Sequence, residues 1–450
     1  MQQHAYRTIP GPREIPFIGS VHRRFSSPLT FFETLKRDHG DAARFSLFSE
    51  KFVLFSDPAL VNEVLLTKQH SFRKGRALEG ARLFLGNSLL VSEGEEHTQQ
   101  RRLIQPAFHR ARIAGYAQVM AERARQWTEA RREGEELDLA VEMNRLTLAV
   151  VAETLFGSQV DADAHAVAES LTVVIENFYR MLLPFWKLAR RLPTAQNRRL
   201  FAAQRRLDET IFRLISTRRA DGRDHGDLLS MLLSAEDAEN PQKRLSDVEV
   251  RDQAMTLFLA GHETTANALA WTWHLLTQHE NVRVKMKAEI DAVLGPDAWP
   301  GLEESARLPY TRAVFSEAMR LYPPVWVIGR RALEDVSIGA YEVPRRTIVI
   351  TSQYVIHRDE RYWPQAEKFL PERWLDEAAQ AARPKFAYFP FGGGARICIG
   401  DAFAWTEGVI LLAVMARRWR FEAVPGHEPG LNATVTLRPK HGLKVIVRRG

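Results

Sequence analysis

The chain has one cysteine, Cys398, in the segment Phe391-Gly392-Gly393-Gly394-Ala395-Arg396-Ile397-Cys398-Ile399-Gly400. The glycines ahead of the sulfur admit backbone angles closed to other residues and let a flat ligand approach the chain closely. Residues 402–417 carry a helical pattern, so Cys398 falls just before a helix N-terminus. The positive helix-end potential and nearby backbone N–H groups favour thiolate over thiol. A thiolate can ligate a metal, Arg396 suits an anionic group beside it, and Phe391 can shield the sulfur from water. The competing reading of a lone cysteine is a small buried hydrophobe.

A second set of chemically capable residues is Ala260-Gly261-His262-Glu263-Thr264-Thr265. It lies inside a helix that opens on the capping box Ser246-Asp247-Val248-Glu249 and can run to about His279. Ala260, Gly261, Thr264 and Ala268 share one face by helical periodicity. Glu263 can carry a proton and Thr264 offers a hydroxyl, although a threonine here can equally bond back to its own helix. A zinc protease is excluded because position 266 is alanine where His-Glu-x-x-His needs histidine. A dinucleotide fingerprint fails as well, since residues 392–397 lack its third glycine. Glu317 and Arg320, three apart, share a helix face, and in isolation read as a solvated ion pair. His97 and Arg101 are one turn apart and can reach the same carboxylate.

Phe391, Gly394, Arg396, Cys398 and Gly400, extended by Ala404, stand at the spacing of the haem-binding signature of cytochrome P-450 proteins, which this segment closely resembles. The chain also resembles that family in Glu317-Ala318-Met319-Arg320, in Phe369-Leu370-Pro371-Glu372-Arg373 and in the segment around Glu263 and Thr264. The resemblance extends over nearly the whole chain and implies a haem-thiolate monooxygenase. Haem b would be held by the thiolate of Cys398, with Phe391, Gly392 and Ala260 beside it and Arg396, His97, Arg101 and Arg330 toward its propionates. Many relatives have tryptophan where this chain has His97. Glu263 and Thr264 would serve oxygen activation as proton relay and contact, and Glu317, Arg320 and Arg373 would form a buried network holding the cysteine loop. Substrate contacts would come from Leu83, Phe84, Leu85, Phe178, Leu182, Phe185, Phe258, Val325, Trp326 and Val435. That apolar set implies a lipophilic small molecule such as a fatty acid, terpenoid or steroid. The implied co-reactants are molecular oxygen and separate electron-transfer proteins, a ferredoxin or flavodoxin with its reductase. Arg102, Arg110, Arg112 and Arg417 are candidate attractors for such an acidic carrier.

The elements that must position these residues are mostly helical. Asp57-Pro58 is a suitable helix start, and from about Pro58 to Leu321 helical periodicity dominates. Strands are expected at 43–48 and 52–55, again over 336–350, and finally over 433–447. The expected fold class is mainly α, the cytochrome P-450 fold: a long central helix over haem, small peripheral sheets, and one domain over 1–450. Composition agrees with a large globular core, at 45% hydrophobic and 26% charged residues. The net charge is +7, but the arginine pairs, such as Arg198-Arg199 and Arg218-Arg219, read as solvated helix faces. No basic tract with interleaved aromatics suggests nucleic acid. One cysteine excludes an intrachain disulfide and an iron–sulfur centre, and fits a reducing cytoplasm. The hydrophobic window 257–276 carries His262, Glu263 and Asn267, which argues against a membrane anchor. A monomer is expected.

Overall fold

The computed structural model describes residues 6, 8–15, 19–20, 27–157, 170, 173–174, 177, 189–237, 240–295 and 298–450. They divide into two compact units, one made of residues 1–75, 313–398 and 430–440, the other of 76–312, 399–429 and 441–450.

The first unit is built on a five-stranded sheet. Its strands run in the order Ala42–Leu47, Glu50–Phe55, Ile348–Thr351, Ile328–Ala332 and Phe72–Lys74. The first two form an antiparallel hairpin in which Ala43 faces Leu54 and Leu47 faces Glu50, close to the expected bounds. Ile348–Thr351 lies parallel to Glu50–Phe55 and antiparallel to Ile328–Ala332. The strands expected over 336–350 are Val336–Ile338, Tyr341–Val343 and Ile348–Thr351. Ile328–Ala332 carries no apolar alternation, and its place in the sheet is a feature the sequence did not announce. One side of the sheet packs on helix Pro28–His39, where Phe31, Phe32, Phe45, Leu54, Trp326 and Leu437 form a core cluster. The other cluster includes Val53, Phe55, Val61, Val349, Phe386 and Phe389. Asp57 caps helix Pro58–Asn62 by accepting from the Ala59 and Leu60 amides, and Pro58 takes a position whose missing N–H costs nothing.

The second unit is helical. Its longest element is Asp247–Gln278, a 32-residue helix that spans about 48 Å at ~1.5 Å per residue. Ser246 and Glu249 close the expected capping box, each satisfying the other's backbone N–H. Helix Leu139–Phe156 packs along it, and the Thr147 hydroxyl donates to the His262 carbonyl at 2.9 Å. The missing side chain of Gly261 allows this approach: a Cβ there would meet Val151 Cγ2 at 3.1 Å. Gly261 therefore serves helix packing, and the bare face of the central helix is left to Ala260 and Thr264. Helix Asp401–Ala416 is buried almost all round and packs on Arg110–Glu129 and the central helix. A three-stranded antiparallel sheet, Trp419–Ala423, Lys444–Arg449 and Glu136–Asp138, completes the unit. Helix Ala195–Asp221 presents Arg198, Arg199, Arg205 and Arg206 to solvent, as their pairing suggested. Arg218 departs from that expectation. It is buried, and its guanidinium meets Asp227 at 2.7 Å and the Phe156 carbonyl at 3.1 Å.

Candidate active site

The cysteine loop is held by its own backbone and by neighbours in the first unit. The Gly392 amide donates to the Phe389 carbonyl at 3.0 Å, and the Cys398 amide donates to the Phe391 carbonyl at 3.0 Å. Between these closures, Gly394–Arg396 forms one 3₁₀ turn. The Ala395 amide is bound by the Gln69 side chain at 2.7 Å. Gly394 has φ of +69°, and a Cβ there would overlap the Leu65 carbonyl oxygen, so both conformation and space require glycine. The result is a rigid loop that presents Cys398 exposed rather than buried, against the competing reading of a small core residue. Phe391 and Arg396 are both half-buried. Arg330 is buried in strand Ile328–Ala332, opposite Val349 and Lys74.

Glu317, Arg320 and Arg373 come together at the end of helix Pro309–Leu321. The Arg320 guanidinium forms a two-point pair with Glu317, Nε to Oε2 at 2.8 Å and Nη2 to Oε1 at 2.8 Å. Arg373 Nε adds a third bond to Glu317 Oε1 at 3.0 Å, and Trp374 Nε1 a fourth to Oε2 at 2.8 Å. Glu317 and Arg320 are fully buried, so this geometry contrasts with an exposed helix pair. Burial holds the Arg373 pKa below its ordinary value, and Glu317 acts against that shift.

Sequence reasoning missed His357. Its carbonyl accepts from Arg320 Nη1 at 2.8 Å, and its Nε2 accepts from the Phe389 amide at 3.1 Å. Phe389 in turn accepts from Gly392, so three hydrogen bonds lead from the ion pair to the cysteine loop. The accepting role requires a neutral ring. Burial, with Arg320 and Arg358 nearby, pushes the His357 pKa well below its ordinary value.

In the second unit, the middle of the central helix is buried except on one face. Ala260 is exposed and Thr264 half-buried there, whereas Glu263 and His262 are buried. Thr264 Oγ1 donates to the Ala260 carbonyl at 2.8 Å. This back-bond is the competing role considered above, yet it leaves the hydroxyl's lone pairs available to accept. His262 Nδ1 lies 2.9 Å from the Phe258 carbonyl, and burial lowers its pKa. His97 is buried on helix Gly94–Ile104, and Arg101, one turn on, is half-buried.

The candidate substrate residues fall into different settings. Leu83, Val325 and Val435 are exposed or half-buried, while Phe84 and Leu85 are buried. Phe258 is 1% exposed and meets Phe156 edge-on at 5.7 Å. Trp326 is part of the sheet core, with its Nε1 donating to the Thr434 carbonyl at 2.8 Å. Phe178, Leu182 and Phe185 lie outside the described residues. Of the basic residues considered for an electron carrier, Arg110 is exposed. Arg112 is engaged with Asp224 at 2.7 Å and Arg417 Nη2 with the Gly295 carbonyl at 2.9 Å, which ties both within the chain.

Within the first unit the donor chemistry fits a haem: one thiol exposed on a fixed loop, with the guanidinium groups of Arg396 and Arg330 in the same unit as candidates for its propionates. No helix among the described residues is long and apolar enough to cross a membrane.

Comparison with known proteins shows the family. The cytochrome P-450 family profile matches residues 9–447. Cyclooctatin synthase of Streptomyces melanosporofaciens is 41% identical over 425 residues, covering 94% of this chain and 91% of that protein. Cyclooctat-9-en-7-ol 5-monooxygenase of the same organism is 39% identical, covering 94% and 92%. Among solved structures, a cytochrome P-450 haem domain superposes with a TM-score of 0.88 at 27% identity, covering 98% of each chain. A thiol loop, a buried Glu-x-x-Arg network and a family match over nearly the full length converge: the chain belongs to the cytochrome P-450 family of haem-dependent monooxygenases.

Proposed function

We propose that this protein holds haem b through the Cys398 thiolate and uses molecular oxygen to hydroxylate or epoxidise a terpenoid. The observation that carries the reading is the exposure of the chain's one thiol on a loop closed by the Cys398-to-Phe391 bond at 3.0 Å. With the single thiol used as ligand, none remains for a thioether link, which supports haem b over a covalently attached haem. When bound, the haem supplies the electron transfer and oxygen chemistry that side chains lack.

The chain's own residues do the rest. Phe391 and Gly392 would lie beside the haem on the side of Cys398, and Arg396, His97, Arg101 and Arg330 would hold its propionates. Ala260 leaves space on the bare face of the central helix. Thr264, donating to Ala260, presents its lone pairs there and can hold a water or a protonated group by accepting from it. Glu263, one residue earlier and about 100° round the helix, would supply protons to that position. Glu317, Arg320 and Arg373 hold the cysteine loop through His357. Leu83, Phe84, Leu85, Val325 and Val435 form part of the apolar substrate contact.

Among the lipophilic classes, terpenoid alcohols are favoured because a relative 39% identical over nearly the whole chain is named for oxidising cyclooctat-9-en-7-ol. Separate electron carriers, a single domain, a monomeric state and a cytoplasmic setting belong to the same proposal. The test is a spectral binding screen of the haem-loaded protein with cyclooctat-9-en-7-ol, a fatty acid and a steroid. A low-to-high spin shift with the terpenoid at the lowest concentration is expected. A tighter response to either other class would overturn the substrate assignment.

A further inference from the structure

Three side chains from the first turns of the central helix grip the backbone of residues 87–89. Asp252 Oδ2 accepts from the Asn87 amide at 2.7 Å, and Gln253 Oε1 accepts from the Leu89 amide at 2.9 Å. Thr256 Oγ1 donates to Ser88 Oγ at 2.6 Å. Gly86, immediately before, has φ of +58°, and a Cβ there would overlap the Asp252 carboxylate. Residues 86–89 are thus pinned to the central helix at a point that only glycine tolerates.

Helix Arg76–Leu85, on the other side of Gly86, is held differently. Arg251 Nη1 donates to the Phe84 carbonyl at 3.1 Å and to Asp252 Oδ1 at 2.8 Å. The same guanidinium reaches helix Ala195–Asp221, where Nε donates to Asp208 Oδ1 at 2.8 Å and Nη2 to the same oxygen. Gln204 adds a bond to the Leu83 carbonyl at 3.4 Å, the outer limit of such a contact. One largely buried guanidinium therefore joins three elements. Its planar fork serves all of them together, which the point charge of a lysine cannot do.

We infer that Arg251 is a positioning residue that latches helix Arg76–Leu85 to helix Ala195–Asp221, with Gly86 as the pivot. It fixes where Leu83, Phe84 and Leu85 meet substrate. The inference rests on the proposed substrate role of those residues. Asp208 is the more accessible end of the latch, with 29% of its side chain exposed against 8% for Arg251. Water can compete for the pair from that side, and a movement of helix Ala195–Asp221 would release the Phe84 carbonyl while residues 87–89 stay in place.

The test compares wild type with Arg251→Gln, Arg251→Lys and Asp208→Asn as haem-loaded proteins. In Arg251→Gln, ligand-free hydrogen exchange should rise about tenfold at the amides of residues 78–85, with residues 87–92 and 254–270 changing less than about twofold. Asp208→Asn should show the same pattern more weakly, and Arg251→Lys should fail to restore protection. Spectral titration should show cyclooctat-9-en-7-ol binding about fivefold more weakly to Arg251→Gln, while imidazole, which needs only the iron, changes less than about twofold. Uniform exchange across both segments would reduce Arg251 to a general stabiliser and overturn the latch, as would unchanged exchange. If wild type gives no response to cyclooctat-9-en-7-ol, the substrate assignment fails, and the exchange pattern still decides the latch.

Discussion

Arg320 and His357 are joined so that the first fixes the main chain of the second: Arg320 Nη1 donates to the His357 carbonyl at 2.8 Å. The ring of His357 then accepts from Phe389, and Phe389 accepts from Gly392 at the head of the cysteine loop. The buried ion pair with Glu317 is therefore linked to the cysteine loop through the His357 ring and two main-chain carbonyls.

Removing one member of that pair should destabilise the protein strongly. Glu317→Ala leaves a fully buried Arg320 without its carboxylate, which typically costs about 3–5 kcal/mol. Chemical denaturation and haem retention on gel filtration measure this. A change under about 1 kcal/mol, within the range of surface substitutions, with haem fully retained would contradict the role given to the network.

His357 gives the fold a dependence on acid. Its folded pKa lies well below its ordinary value, so its contribution is present above the unfolded pKa and is lost as pH falls through that value toward the folded one. The unfolded chain takes up the proton first, at a slope of at most about 1.4 kcal/mol per pH unit. Denaturation at pH 7.5 and pH 5.5 should show a smaller loss in His357→Gln than in wild type. Equal losses would show that the ring does not stay neutral when folded.

Glu407 acts with the opposite sign. It is fully buried on helix Asp401–Ala416, and burial raises its pKa to about 8, against a smaller lowering by the Thr265 hydroxyl. Neither carboxyl oxygen makes a hydrogen bond of good geometry, so the Thr265 contact is a weak one. The folded protein keeps the proton while the unfolded chain releases it, so stability is lost as pH rises from the ordinary carboxylate range to about 8. Glu407→Gln should flatten the melting temperature between pH 5.5 and pH 8 and raise it at the upper end. A wild-type slope that survives the substitution would exclude Glu407 as its source.

The sequence made the local features legible and left the distant ones hidden. Ser246 and Glu249 marked the start of the central helix because a capping box is a four-residue pattern, and the glycines before Cys398 marked a special loop for the same reason. His357, Glu407 and Arg251 have no local signature: what surrounds them comes largely from other elements, with Phe84 standing 167 positions from Arg251. Strand Ile328–Ala332 was hidden because Gly329, Arg330 and Arg331 break the apolar alternation. Trp326 and Phe258 read as substrate contacts because an apolar residue looks alike in a core and in a pocket. Their burial here, with Phe32 and Phe156 as neighbours, is a packing role the sequence could not separate.

Thr264 tests the oxygen-activation half of the account. Its hydroxyl donates to Ala260, and the proposed role uses its lone pairs as acceptor, so Thr264→Ala removes that acceptor and leaves the helix intact. Product formed per reducing equivalent should fall, with hydrogen peroxide released in its place, while substrate affinity is kept. Thr264→Ser should restore most of the coupling. Loss of a group that positions a proton is worth about 10²–10⁴ in rate at most. Unchanged coupling in Thr264→Ala would remove this residue from the reaction.

The central claim is ligation by Cys398, and the absorption spectrum of the reduced, carbon monoxide-treated protein tests it most directly. A thiolate ligand predicts a strongly red-shifted Soret band in wild type. Cys398→His should lose that band while the protein stays folded, because the loop closures at Gly392 and Cys398 are made by backbone atoms. A wild-type band without the shift, or a shifted band that survives in Cys398→His, would contradict the account.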